Sequence, residues 1–103
     1  MAEVPLAVQT GASYTRKAAI ANVNDNTSWL PVSDGVSVSI SGGSALTAEV
    51  YYSTEADRSD SVLVGTQNET ERAANYSFQG SGSIMVKITA LTAGPVTVRI
   101  TGS

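Results

Sequence analysis

The 103-residue chain contains no cysteine and no histidine. Without cysteine there is no disulfide, no thiolate metal site and no thiol nucleophile. Without histidine, the Ser-His-Asp and Cys-His arrangements, the imidazole metal sites and the commonest general base all fall away. Charge is scarce as well. Asp, Glu, Lys and Arg make up 15% of the chain, against about a quarter in an ordinary globular domain. The surface must therefore be carried by Ser, Thr, Asn, Gln and Gly, which protect weakly against association with other surfaces. The net charge is −3, and the basic residues Arg16, Lys17, Arg58, Arg72, Lys87 and Arg99 are scattered. Nucleic acids are held chiefly by neutralising phosphates, so no direct nucleic-acid binding is expected. No stretch approaches the roughly 18 apolar residues of a spanning helix, and no membrane partner is expected. Met1-Ala2-Glu3-Val4-Pro5 has neither the basic start nor the apolar core of a signal peptide. Synthesis in a cytoplasm, without a cleaved export signal, is the expectation.

What the chain does have is β-branched residues in short alternating runs, punctuated by Gly, Asn, Asp and Pro. That pattern predicts a single all-β domain spanning 1–103. Strands are expected at Val4–Gln9, Tyr14–Ala21, Trp29–Val32, Val36–Ser41, Leu46–Ser53, Ser61–Val64, Asn75–Gln79, Ser83–Leu91 and Val96–Thr101. Asp34-Gly35, Gly42-Gly43, Gly80–Gly82 and Ala93-Gly94-Pro95 read as turns. Ala18–Ala21 and Glu69–Ala74 could each make a short piece of helix, but no three-turn helix is supported. Alternation also assigns faces. Val36, Val38 and Ile40 oppose Ser37, Ser39 and Ser41. Ala48, Val50 and Tyr52 form a second apolar row, Ile84, Val86, Ile88 and Ala90 a third, and Val96, Val98 and Ile100 a fourth. Rows of this kind suit an antiparallel two-sheet β-sandwich, jelly-roll or immunoglobulin-like, with one wet face per sheet. The last two strands are expected to close the fold as a hairpin.

The search for chemistry returns little. The nine carboxylates lie mostly in polar loops. Glu55, Asp57 and Asp60 share the segment "STEADRSDS", but Arg58 sits among them and no calcium-loop spacing is present, so an exposed solubilising loop is expected. "NVNDNT" reads as an Asx-type turn. No glycine pattern matches a phosphate-binding loop. No catalytic residue, metal site or cofactor is expected, and the chain reads as a non-enzyme. Trp29 and one of Tyr51 and Tyr52 are candidates for an interface, because Trp and Tyr favour interiors and contact surfaces. The segment Met1–Gln9, with Val4, Leu6 and Val8, is either an extended arm that adds to a neighbour's sheet edge or the first strand of the domain itself.

The stretches "DGVSVSISGGSALTAEVYYSTEADRSDSVLVG" and "YSFQGSGSIMVKITALTAGPVTVRITGS" resemble small β-sandwich structural proteins of tailed bacteriophages. The resemblance covers roughly residues 34–103 and is one of strand pattern, with no fixed functional residues to transfer. It implies a virion component, foremost a capsid decoration or cement protein that stabilises the head by binding between major capsid subunits. The implied partners are the major capsid protein and further copies of the chain, as dimer or trimer, on the capsid surface after synthesis in a bacterial cytoplasm. The alternative is a receptor- or carbohydrate-binding domain of a tail or head fibre.

Overall fold

The computed structural model describes residues 3–9, 12–55 and 57–102. These form nine strands: β1 (Glu3–Val4), β2 (Ala7–Gln9), β3 (Ala12–Ile20), β4 (Asn26–Thr27), β5 (Leu30–Ser41), β6 (Thr47–Ser53), β7 (Val62–Asn68), β8 (Ala73–Ala90) and β9 (Val96–Gly102). There is no helix among the described residues. The strands make two packed layers, as the alternation predicts. One layer runs β7-β6-β8-β4-β1 and the other β8-β5-β9-β3-β2. The neighbours are antiparallel except β1 and β4, which are parallel.

The 18-residue β8 belongs to both layers. Its first part pairs with β5, from Ala73 opposite Ser39 to Ile84 opposite Leu30. Its second part pairs with β6, from Ser83 opposite Ser53 to Ala90 opposite Thr47. Gly80–Gly82 is thus not the expected turn. It lies inside β8, with Ser81 opposite Ser33 and Gly82 opposite Val32. Gly82 is required by close approach, since a Cβ there would stand 2.6 Å from the Tyr52 ring. That ring stacks on Phe78 at 4.0 Å between centroids and 7° between planes. Asp34-Gly35 is likewise no turn but a register shift inside the 12-residue β5. A local signal for Gly or Asp marks a bulge in a strand as readily as a turn between strands.

The expected closing hairpin does not form. β9 pairs with β5, Val38 facing Ile100, and with β3, Ala18 facing Val98. The link after β8 crosses to the other layer, tied down where Ser44 N–H donates to Ala93 O and Thr92 N–H donates to Ser44 O, both at 2.9 Å. Alternation along a strand states which face is apolar and says nothing about which strand lies beside it. The ambiguous segment at 18–20 is strand, in β3. The turn 68–71 is built on Asn68, whose Oδ1 accepts from the Thr70 and Glu71 amides.

The core is built on the apolar rows read from the sequence, with Tyr52 and Ala90 half-buried at its margin and Ile20 and Leu46 added to it. Val38, Val50, Ile84, Val86, Ile88, Val96, Val98 and Ile100 are fully buried, with Ile20, Val36, Ile40 and Leu46 around them. Five polar side chains among the described residues are buried, Asp25, Thr27, Ser53, Gln67 and Ser83, and Thr27 and Gln67 link separate strands. Thr27 Oγ1 accepts from Val86 N–H at 3.0 Å and donates to Ser28 O, extending the short β4–β8 ladder. Gln67 donates to Val38 O at 3.2 Å and accepts from Tyr76 OH at 3.0 Å, tying β7 to the opposite layer. No buried side-chain nitrogen or oxygen among the described residues is left without a partner, as the cost of an unmade buried hydrogen bond requires.

Two substitutions test this packing by chemical denaturation. Ile88→Ala, at a fully buried site, is expected to lower stability by about 2–5 kcal/mol. Gly82→Ala, which drives a methyl into the Tyr52 ring, is expected to cost about 1–3 kcal/mol. A neutral Gly82→Ala would show that the ring can move aside and that close approach is not why glycine stands there.

Candidate functional site

Two features of the β7-β6-β8-β4-β1 layer face outward, and register explains both. Leu63, Tyr51 and Met85 lie opposite one another across β7, β6 and β8, and form an apolar row on the outer surface. The next row holds Thr66, Glu49, Lys87, Asn26 and Glu3. A register shift between Val50 and Tyr51 leaves Val64 as an extra residue on β7. Val64 packs against the core while Leu63 stays with Tyr51 outside. Trp29, in the short connection between β4 and β5, closes the apolar row at one side. Together Asn26, Trp29, Tyr51, Ser61, Met85 and Lys87 line a hollow of about 330 Å³.

Both aromatic rings in this hollow are held by specific contacts. Tyr51 OH donates to Glu49 Oε1 at 2.6 Å. That hydrogen bond, helped by slight burial and the carboxylate's charge, raises the phenol above its ordinary range. Trp29 is half-buried and lies under the Arg58 guanidinium, 4.9 Å from the ring centroid. Arg58 is positioned in turn by the 54–61 loop. Its own backbone is left-handed at φ 63°, its amide donates to Glu55 O at 3.2 Å and its Nη1 donates to Glu55 O at 3.0 Å.

Asp60 organises that loop. Its carboxylate accepts from the hydroxyls of Ser53 and Thr54 and from the Thr54 and Glu55 amides. These donors favour the ionised form and hold the carboxyl far below the ordinary carboxylate range. Asp57 is lowered more simply, by hydrogen bonding from Ser59. The loop is exposed, as expected, but it is more than a solubilising segment: its carboxylate sets the backbone that carries Arg58 over Trp29. No group of three or more Asp or Glu side chains among the described residues is placed to hold a metal ion.

The residues singled out from the sequence do not gather in one place. Trp29 and Tyr51 come together in the hollow. Tyr52 points to the other face, where it packs against the core and stacks on Phe78. Val4 and Leu6 are half-buried against the core. Their backbones are tied to β4 and its flank, with Ser28 N–H donating to Val4 O at 2.9 Å and Leu6 N–H donating to Ser28 Oγ at 3.0 Å. Val8 lies in β2 with its backbone opposite Arg16, and its side chain lies outside the described residues. Residues 3–9 are therefore paired within the chain, β1 to one layer and β2 to the other, and do not project as an extended arm. Sequence reasoning missed Met85, Lys87, Asn26 and Leu63. The available signal was alternation, since Met85 and Lys87 are the outward positions between Ile84, Val86 and Ile88.

A second depression, of about 470 Å³, opens on the other layer and is lined by Gly35, Val36, Ser37, Asn75, Tyr76, Ser77 and Thr101. It is wide, with polar and apolar surface in comparable amounts, and Ser37 Oγ donates to Asn75 Oδ1 within it. Nearby, Tyr76 is raised above the usual phenol range by burial and the charge of Glu71.

No family model matches the sequence, and no curated protein matches it by sequence. Solved structures share the fold. The periplasmic inhibitor of g-type lysozyme PliG of Aeromonas hydrophila is 12% identical with a TM-score of 0.66, over 97% of this chain and 95% of that one. The SPBc2 prophage-derived protein YomS is 15% identical with a TM-score of 0.58, over 92% of this chain and all of that one. PirA is 9% identical with a TM-score of 0.50, over 92% and 98%. At these identities the likeness establishes a shared all-β architecture across nearly the whole chain.

The Asp60 network makes a prediction with a definite sign. A carboxyl whose pKa is depressed by folding stabilises above its unfolded value and loses that contribution as pH falls below it. Amide exchange protection at Thr54 and Glu55 is expected to stay constant from neutral pH down to about the ordinary value of 3.8 and to fade only below it. Asp60→Ala is expected to remove that protection at neutral pH and to change the emission of Trp29, with the core amides still protected. Unchanged exchange at Thr54 and Glu55 in the variant would show that the loop is ordered by other means.

Proposed function

We propose that this chain is a non-catalytic structural protein of a bacteriophage virion, most concretely a capsid decoration protein that stabilises the head by adhesion between major capsid subunits. The observation that supports this best is the edge of β7. Among the described residues β7 pairs only with β6. Val62 and Leu63 on it are 53% and 51% exposed, and Ser61–Asn68 contains no charge and no proline. Monomeric proteins ordinarily block such an edge with charge, proline, a bulge or a covering segment, because it invites strand addition; β7 has the bulge at Val64 but neither charge nor proline. An assembled protein uses the same edge as its contact. The fold it shares with a prophage-derived protein, over 92% of this chain, is consistent with this reading, and so is the scarcity of charge on the surface.

Purified particles provide the test. The protein is expected to co-purify with capsids in many copies, and capsids carrying it should withstand heat or chelation better than stripped ones, as a bound partner stabilises by mass action. Leu63→Lys places a charge on the open edge at an exposed site. The variant is expected to fold with an unchanged melting temperature and to lose particle binding. A Leu63→Lys protein that decorates capsids as the parent does would remove the edge from the mechanism, and a parent protein absent from particles would end the capsid reading.

The second reading is a receptor- or carbohydrate-binding domain of a tail or head fibre. The hollow between Trp29 and Tyr51 favours it. A few copies per particle, at the tail or on fibres, is the outcome that would place it first.

A further inference from the structure

We infer that the hollow lined by Asn26, Trp29, Tyr51, Ser61, Met85 and Lys87 is a saccharide site that takes an uncharged pyranose glycan. The inference rests on the glycan-binding reading above and names its site and ligand class. Four observations carry it.

The first is size. About 330 Å³ lies at the lower end of the roughly 300–1,000 Å³ typical of small-molecule sites, enough for a short stretch of oligosaccharide lying in an open trough. The second is preorganisation. Tyr51 is fixed by Glu49 and Trp29 by Arg58, so little side-chain freedom is lost when a ligand binds. Trp29 lines the hollow and Arg58 does not.

The third is the chemistry of the lining. Two aromatic rings and the Met85 thioether supply an apolar floor, which suits the C–H face of a sugar ring. The Asn26 amide, the Ser61 hydroxyl and the Lys87 ammonium supply donors and acceptors around it. Asn26 is itself oriented, because its Nδ2 donates to Thr27 O at 2.8 Å. The fourth is charge. Lys87 and Arg58 are matched by Glu49 and Glu3 on the same outer face, Glu49 opposite Lys87 and Glu3 opposite Asn26 in register. Lys87 makes no ion pair among the described residues, so its ammonium remains a donor to ligand hydroxyls. The lining itself holds a single charge, the Lys87 ammonium, with the Glu49 carboxylate opposite it in register; one cation beside a carboxylate makes no cluster of one sign to select an ionised ligand. The apolar β7 edge proposed as a protein contact lies beside this hollow, and its Leu63 does not line it.

The test uses the full chain, isotope-labelled and free of particles, titrated with maltotriose, with the trimer of N-acetylglucosamine and with trigalacturonate as the charged comparison. Saturable shifts are expected with at least one neutral trimer, concentrated at the Trp29 indole N–H, the Asn26 side-chain amide and Lys87. Tyr51→Ala, at an outward position, should leave the fold intact by its spectrum and weaken that binding about tenfold or more, whereas Tyr51→Phe should retain it because the ring is kept. Binding that persists unweakened in folded Tyr51→Ala overturns the site. Binding of trigalacturonate alone overturns the uncharged class while leaving a glycan reading in place. Saturation by none of the three overturns the saccharide site, while the fibre reading is decided separately by copy number on particles. Capsid association plays no part in this experiment, so its result is independent of the decoration reading.

Discussion

The architecture depends on one strand being continuous where its sequence invites a break. β8 runs through Gly80–Gly82 without turning, and the space a side chain would take at Gly82 is filled by the Tyr52 ring. Tyr52 stacks in turn on Phe78 from the same strand. This aromatic pair sits where β8 exchanges β5 for β6 as its partner, so it holds the passage between the two layers. Gly65 plays the matching part across the sandwich: a Cβ there would collide with Tyr76 at 2.4 Å. The Tyr76 hydroxyl then reaches Gln67, which reaches the β5 backbone. Two glycines, each covered by a tyrosine, let the layers approach while keeping enclosed polar atoms satisfied.

The outer surface follows from the same strand. Because β8 and β6 bury Ile84, Val86, Ile88 and Ala48, Val50 on one side, their intervening residues Met85, Lys87, Glu49 and Tyr51 must stand on the other. Had they all been polar, the face would be an ordinary wetted sheet surface. Tyr51 and Met85 instead continue an apolar row to Leu63, and the connection carrying Trp29 borders it. The Asp60-centred loop enters here as support, since it carries the cation that covers part of the indole. A hollow, an ordered loop and an open sheet edge thus meet at one corner of the domain.

Adhesion and glycan binding draw on different parts of that corner. Strand addition needs a free backbone ladder and tolerates many side chains, which describes β7. A sugar site needs rings and hydrogen-bonding groups held in place, which describes the hollow between β4, β6 and β8. Neither role requires an ionisable group with a perturbed pKa in a cleft. The group most shifted, Asp60, owes its shift to hydrogen bonds within an exposed turn, as Asp57 does its own, and both have a structural reason for being where they are.

The class of fold and most of the core were legible in the alternation of residues. Period-two alternation identified Val38, Ile40, Val50, Ile88, Val98 and Ile100 as inward residues, because a strand's side chains must alternate whatever its neighbours are. It also indicated that one of Tyr51 and Tyr52 faces outward. It did not determine which strands pair: the apolar rows of β8 and β9 are alike, and only long-range packing sends β9 to lie between β5 and β3. Nor did it separate a turn from a bulge or kink at Gly35 and Gly80–Gly82, since glycine permits either and the contact that decides is with Tyr52 or Tyr76, distant in sequence. The gathering of Trp29, Tyr51, Met85 and Lys87 came from the tertiary structure alone. Those residues lie on three separate segments, and only the register of β6 and β8, with the crossing after β4, brings them to one face.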